Sequence, residues 1–201
     1  MSNILEALNN ELSTVVDRAR RSLVQVHNGR RGNGAGTILH ADGLIVTNAH
    51  VVQRRSPKIT LWDGRTLRGS LLAFNEQMDL AAVAVEGNDL PTIELGNGRE
   101  LRPGQWVVAL GHPWGVTGAT SAGMVISVGR PLEGLRYEGD LIQAGLQLRP
   151  GHSGGPMVNS KGLLVGINTM IAGPGVGLAV PIGAVKRFLK QSLISGATAV
   201  V

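Results

Sequence analysis

The sequence predicts an all-β protein, a barrel or a sandwich pair, with a helix at each end. Three observations carry this reading. About twelve short runs rich in Val, Ile and Leu follow one another, each ended by Gly, Asn, Asp or Pro. The 201 residues hold 29 glycines, about twice average usage, without the every-third-residue period of a collagen. Helical apolar spacing is confined to the two ends of the chain.

The first element is an amphipathic helix over residues 1–21. Leu5, Leu8, Leu12, Val15 and Ala19 recur at three- and four-residue steps, and Asn3 with Glu6 has the form of a capping box. Strands are then expected at 22–27, closed by Asn28-Gly29, and at 36–40, 44–47, 58–62 and 66–73. Ala41-Asp42-Gly43 and Asp63-Gly64 supply hairpin signals between them. After a crossing segment over 86–104, the second half repeats the style at 105–110, 120–128, 141–148, 163–170 and 177–180; the run 80–85 precedes the crossing. A closing helix over 181–194 opens on Pro181, in the position proline prefers, with Val185, Phe188 and Leu189 on one face. The tail from Ser195 is expected to fray.

Composition narrows the function. Hydrophobic residues are 43% and charged residues 16%, enough apolar material for a core and too little charge for a disordered chain. Zero cysteine removes disulfides, thiol nucleophiles and thiolate zinc sites. The net charge is +5, but a single-stranded nucleic-acid platform needs stacking rings among its basic groups, and aromatics are 3%. The basic residues therefore read as a solvated surface, with no nucleic-acid partner expected. No run approaches membrane-spanning length, and Glu6 and Glu11 interrupt the place where a secretory apolar region would lie. A soluble, cytoplasmic protein without membrane insertion is the expectation.

No phosphate loop, HExxH pair or dinucleotide glycine motif is present, so neither cofactor nor metal is expected. The segment Arg149-Pro150-Gly151-His152-Ser153-Gly154-Gly155-Pro156 is different. Glycines around a serine free the backbone for dihedrals in which successive N–H groups converge on one point, as an oxyanion hole requires. The competing reading is a plain Gly-Ser turn. A serine nucleophile needs a base, and His27, His40 and His112 occupy turn or loop positions. His50 ends an apolar strand running into a short turn, where buried neighbours can fix an imidazole. Among the aspartates Asp79 alone stands against a hydrophobic run, residues 78–85. A carboxylate buried there costs several kcal/mol unless paired, and an imidazole N–H is the natural partner. Capping of backbone donors at a strand mouth is the alternative.

The order His50, Asp79, Ser153 on an all-β chain is the chymotrypsin-like order. Thr47-Asn48-Ala49-His50-Val51, Asp79-Leu80-Ala81 and Gly151-His152-Ser153-Gly154-Gly155-Pro156 resemble the signature segments of HtrA (Deg) type trypsin-like serine proteases. Supporting matches are Gly34-Ala35-Gly36-Thr37, Leu110-Gly111-His112-Pro113-Trp114-Gly115, Gly166-Ile167-Asn168-Thr169 and Gly177-Leu178-Ala179-Val180-Pro181-Ile182; together they span about 22–190.

The resemblance implies a protease domain over 22–195 built as a double six-stranded β-barrel, barrel one about 22–95 and barrel two about 105–180. It implies His50, Asp79 and Ser153 as catalytic residues, and the N–H groups of Gly151 and Ser153 as the oxyanion hole. It also implies a primary pocket lined by Gln147, Leu148, Thr169, Met170, Ile171 and Leu178. That lining is mostly apolar and has no acidic base, which favours cleavage after small or medium aliphatic residues and hence unfolded or misfolded polypeptides as substrates. Two features depart from the family: His152 stands where Asn is usual, and too few residues follow Phe188 for the PDZ domain its members carry. The N-terminal helix is a candidate contact for a homotrimer, or simply docks on its own barrel. The rival to an active endopeptidase is a catalytically idle relative that holds polypeptides as a chaperone does.

Overall fold

The computed structural model describes residues 2–27, 33–130, 137 and 139–194. The expected Asn28-Gly29 turn and the tail from Ser195 lie outside them. Helix α1 (Ser2–Ala19) opens the chain, so Asn3 sits inside its first turn and not ahead of it. Its C-terminal half buries Val15 and Ala19, while Ile4 and Leu5 stay exposed.

Strands β1 (Leu23–His27), β2 (Asn33–Ile38), β3 (Leu44–Thr47), β4 (Lys58–Thr60), β5 (Thr66–Asn75) and β6 (Leu80–Val85) close into one barrel in the order β1-β2-β3-β6-β5-β4. Strands β7 (Trp106–Gly111), β8 (Ala119–Gly129), β9 (Leu141–Gly145), β10 (Pro156–Asn159), β11 (Leu164–Gly173) and β12 (Val176–Pro181) close into a second, β10-β11-β12-β9-β8-β7. The fold is thus a pair of closed six-stranded antiparallel barrels. Closure leaves no long sheet edge unpaired, which resolves the liability of a chain made of short apolar strands.

Several elements differ from expectation, three of them for identifiable local reasons. Strand β10 has four residues and begins at Pro156, immediately after the glycine loop, so it reads in sequence as the end of a turn. The run expected at 141–148 stops as a strand at Gly145. Pro181 is the last residue of β12, paired with Gly166, and the closing helix α2 (Ile182–Ile194) starts one residue later.

Each barrel has its own apolar interior, centred on Val26, Ile45, Ile59 and Val83 in the first and Val107, Ile142, Met157 and Ala179 in the second. A third cluster runs between them and under both helices through Leu23, Val46, Leu80, Leu110, Ile167 and Phe188. Hydrogen bonds also join the barrels: the Ala35 N–H of β2 donates to the Ser153 carbonyl at 2.8 Å, and the Thr37 hydroxyl to the Gly154 carbonyl at 3.2 Å. The loop carrying Ser153 is therefore pinned to the barrel that carries His50 and Asp79. Among the described residues no helix is long and apolar enough to cross a membrane.

Candidate active site

The first barrel supplies an imidazole and a carboxylate. His50 lies in the single helical turn Ala49–Val51 that follows β3, and Asp79 immediately precedes β6, which pairs with β3. Strand pairing thus brings together residues 29 positions apart. His50 Nδ1 is 2.9 Å from both Asp79 carboxylate oxygens, and the His50 main-chain N–H donates to Oδ1 at 3.1 Å. The Thr169 hydroxyl donates to Oδ2 at 2.6 Å. Asp79 has φ +48, an unfavourable backbone for a non-glycine residue, and the Asn48 side-chain amide holds its carbonyl at 2.9 Å. These donors compensate a carboxylate whose side chain is only 12% exposed, whereas the His50 side chain is 51% exposed and faces the cleft.

The second barrel supplies the serine loop. Gly151 has φ +107, and a Cβ there would meet the His112 carbonyl oxygen at 2.5 Å. Gly154 has φ +86, and a Cβ would overlap the Ala35 carbonyl and the Thr47 hydroxyl. Both positions therefore require glycine. The loop is tied down by the His112 N–H to the Gly151 carbonyl, 2.9 Å, and by Gly154 N–H to the Asn168 carbonyl, 2.9 Å. The Ser153 hydroxyl donates to the Thr169 carbonyl at 2.8 Å, and among the described residues no hydrogen bond links it to His50. The N–H groups of Gly151 and Ser153 have no acceptor among the described residues.

His50, Gly151 and Ser153 line one open cleft of about 370 Å³ between the barrels. Leu148, Thr169, Met170 and Ile171 form its wall. Gln147 lies instead in an adjoining groove with Leu148 and Ile171. Leu178, which the resemblance places in the pocket, is 1% exposed, packs in the shared core and lines neither cavity. Sequence reading did not assign Asn48, nor the hydroxyl and carbonyl of Thr169 to Asp79 and Ser153. The Thr-Asn and Asn-Thr pairs inside the two quoted segments were the available signal.

Two further histidines brace the loop without entering the cleft. Burial pushes His112 down to about 4, against a partly opposing Val24 carbonyl, with His27 and His152 adding unfavourable charge. Burial also lowers His152, whose Nδ1 lies 3.2 Å from both the N and the O of Arg149. Both are neutral at pH 7. Among the described residues no cluster of His, Asp and Glu could hold a metal ion.

The sequence profile of the trypsin-like peptidase domain matches residues 34–167. The chain is 36% identical over 176 residues to the putative serine protease HhoB of Synechocystis sp., covering 83% of this chain and 41% of that protein. It is 39% identical over 173 residues to a probable periplasmic DegP-like serine endoprotease of Hahella chejuensis, covering 83% and 37%. It is 37% identical over 166 residues to the mitochondrial serine protease HTRA2 of Drosophila willistoni, covering 80% and 38%. The chain thus spans about two fifths of the length of these relatives. Among solved structures, the HtrA-type protease AlgW with a tripeptide superposes with a TM-score of 0.85 at 30% identity, over 92% of this chain and 64% of that one.

Proposed function

Because the chain belongs to the trypsin-like peptidase family, with HtrA proteases as relatives and structural neighbours, we propose that it is a serine endopeptidase of unfolded polypeptides. One observation carries the reading: a carboxylate-held imidazole shares a cleft with a serine whose loop leaves two N–H donors unused. Ser153 Oγ turns from the Thr169 carbonyl toward His50 Nε2, which takes its proton as Oγ attacks the scissile carbonyl. The negative oxygen is held by the N–H groups of Gly151 and Ser153, each worth about 3 kcal/mol in such sites. His50 then protonates the leaving amine, and water cleaves the acyl-enzyme by the same relay. Asp79 fixes the Nδ1–H tautomer of His50 and stabilises its imidazolium.

Leu148, Met170 and Ile171 make the wall beside Ser153 apolar, which supports cleavage after small or medium aliphatic residues, those that unfolding exposes. We extend the proposal to assembly: Ile4, Leu5 and Leu8 are 77, 72 and 45% exposed along α1 and would seat against copies of the chain in a homotrimer. Ile4→Glu with Leu5→Glu should shift the sedimentation of the protein to monomer, and a monomeric parent would contradict the assembly. For the activity, the wild-type protein should digest casein and Ser153→Ala should leave it intact. Casein untouched by a folded wild type contradicts the proposal, and cleavage chiefly after Arg or Lys contradicts the aliphatic preference.

A further inference from the structure

Arg149 is the one fully charged side chain among the described residues lining both the cleft and the adjoining groove. Among the described residues it has no carboxylate partner; the ion pairs are Arg20–Asp17, Arg65–Asp63, His40–Asp42 and His50–Asp79. Its guanidinium is nevertheless held in place. Nη2 donates to Gln147 Oε1 at 3.1 Å, and the group lies 4.5 Å from the centre of the Trp114 ring. A guanidinium carries five N–H donors in a planar fork, so this anchoring leaves most of them available.

Trp114 is an expensive support. It is 70% exposed, and its φ of +52 is an outlier for so bulky a residue. Backbone strain of this kind persists where surrounding structure imposes it, and it clusters at ligand clamps. Here the surroundings are the serine loop itself: the turn carrying Trp114 begins at His112, whose N–H is bonded to the Gly151 carbonyl. The cationic shelf is therefore referenced to the same backbone that carries Ser153. Cation–π stacking further immobilises Arg149 and lowers the ordering cost of a ligand contact.

We propose that Arg149, presented by Trp114 and Gln147, is a specificity-determining residue that recognises a carboxylate side chain, Asp or Glu, in a bound polypeptide close to the cleaved bond. The inference rests on the peptidase reading for its substrate class, but not on turnover for its test. An unpaired guanidinium beside an apolar wall selects a segment that joins an aliphatic residue to an acidic one, and rejects a basic segment by like charge.

The test uses decapeptides with Val before the expected bond and Glu, Gln or Lys placed in turn at each flanking position. Cleavage is read as kcat/KM with the wild-type protein, and binding by fluorescence anisotropy with Ser153→Ala. At one flanking position or more, Glu should exceed Gln by about tenfold in both readouts, the scale of a charge-assisted hydrogen bond. Arg149→Gln should erase that ratio, Arg149→Lys should retain part of it, Arg149→Glu should turn the preference to Lys, and Trp114→Ala should reduce it. A purely structural role would lower all peptides alike and leave the ratio intact. Equal Glu and Gln peptides in the wild type, or a ratio that survives Arg149→Gln, overturns the inference. Binding that favours Glu with no cleavage of any peptide removes the peptidase reading and leaves this one standing; cleavage without charge preference does the reverse.

Discussion

Around the first-barrel carboxylate the polar groups are spent on one another, with Thr169 of β11 reaching in from the second barrel. Asp79 accepts from the His50 ring, the His50 main-chain N–H and Thr169, and its own carbonyl is held by Asn48. On the second-barrel side, Gly151 and Ser153 have N–H groups without an acceptor among the described residues, on a loop fixed from every direction by its other bonds. Both barrels run the same strand order, so topology does not cause the contrast. Its source is local: a buried carboxylate must collect donors, whereas glycines with positive φ turn donors away from ladder partners. On the proposed function, the first barrel holds the proton acceptor in one tautomer and orientation, and the second keeps donors in reserve for charge that appears only during reaction.

The contrast breaks most severely if the first barrel loses its acceptor. Asp79→Asn should keep the fold while lowering kcat by about 10⁴, because an amide no longer fixes the His50 tautomer; steady-state kinetics on an aliphatic peptide measure this, and a loss below tenfold would detach Asp79 from the chemistry. The second barrel should fail differently, through structure. Gly154→Ala places a Cβ onto the Ala35 carbonyl and Thr47 hydroxyl at a φ of +86, and should cost about 3 kcal/mol, read as a lower Tm together with lost activity. An unchanged Tm would mean that the inter-barrel contact yields freely.

A smaller effect sharpens the comparison through pH. His112 titrates near 4 when folded against about 6.5 unfolded. The unfolded chain therefore binds more protons between these values, and stability complete above pH 6.5 is lost as pH falls toward 4, by up to about 3 kcal/mol. The lowered His152 adds in the same direction. Thermal melts from pH 7.5 to 4 should show the decline, and His112→Gln should flatten it; an equal slope in the variant would assign the acid sensitivity elsewhere.

Most of the fold was legible because strands and turns are written in short-range code: apolar runs, punctuated by Gly, Asn and Asp, correspond to eleven of the twelve strands. Strand β10 escaped because Pro156 after three glycines of the serine loop carries turn chemistry into a strand. His50, Asp79 and Ser153 stood out because each conflicts with its surroundings, an imidazole at the end of an apolar strand, a carboxylate against a hydrophobic run, a serine among glycines. What escaped was long-range satisfaction. Thr169 reaches Asp79 across 90 positions, and the Asn168-Thr169 pair marks the residue without pointing to its distant partner. Leu178 was misplaced on the cleft wall for the related reason that burial in a shared core depends on how two barrels meet.

On the proposed function, Ser153 is activated by a base in the cleft with an oxyanion site beside it. The most direct measurement is intact-mass analysis after treatment with a fluorophosphonate, followed by mapping of the modified peptide. One adduct on Ser153, absent in Ser153→Ala and strongly slowed in His50→Ala, is the predicted result. A folded wild-type protein that stays unmodified, or is modified at the same rate without His50, would contradict it.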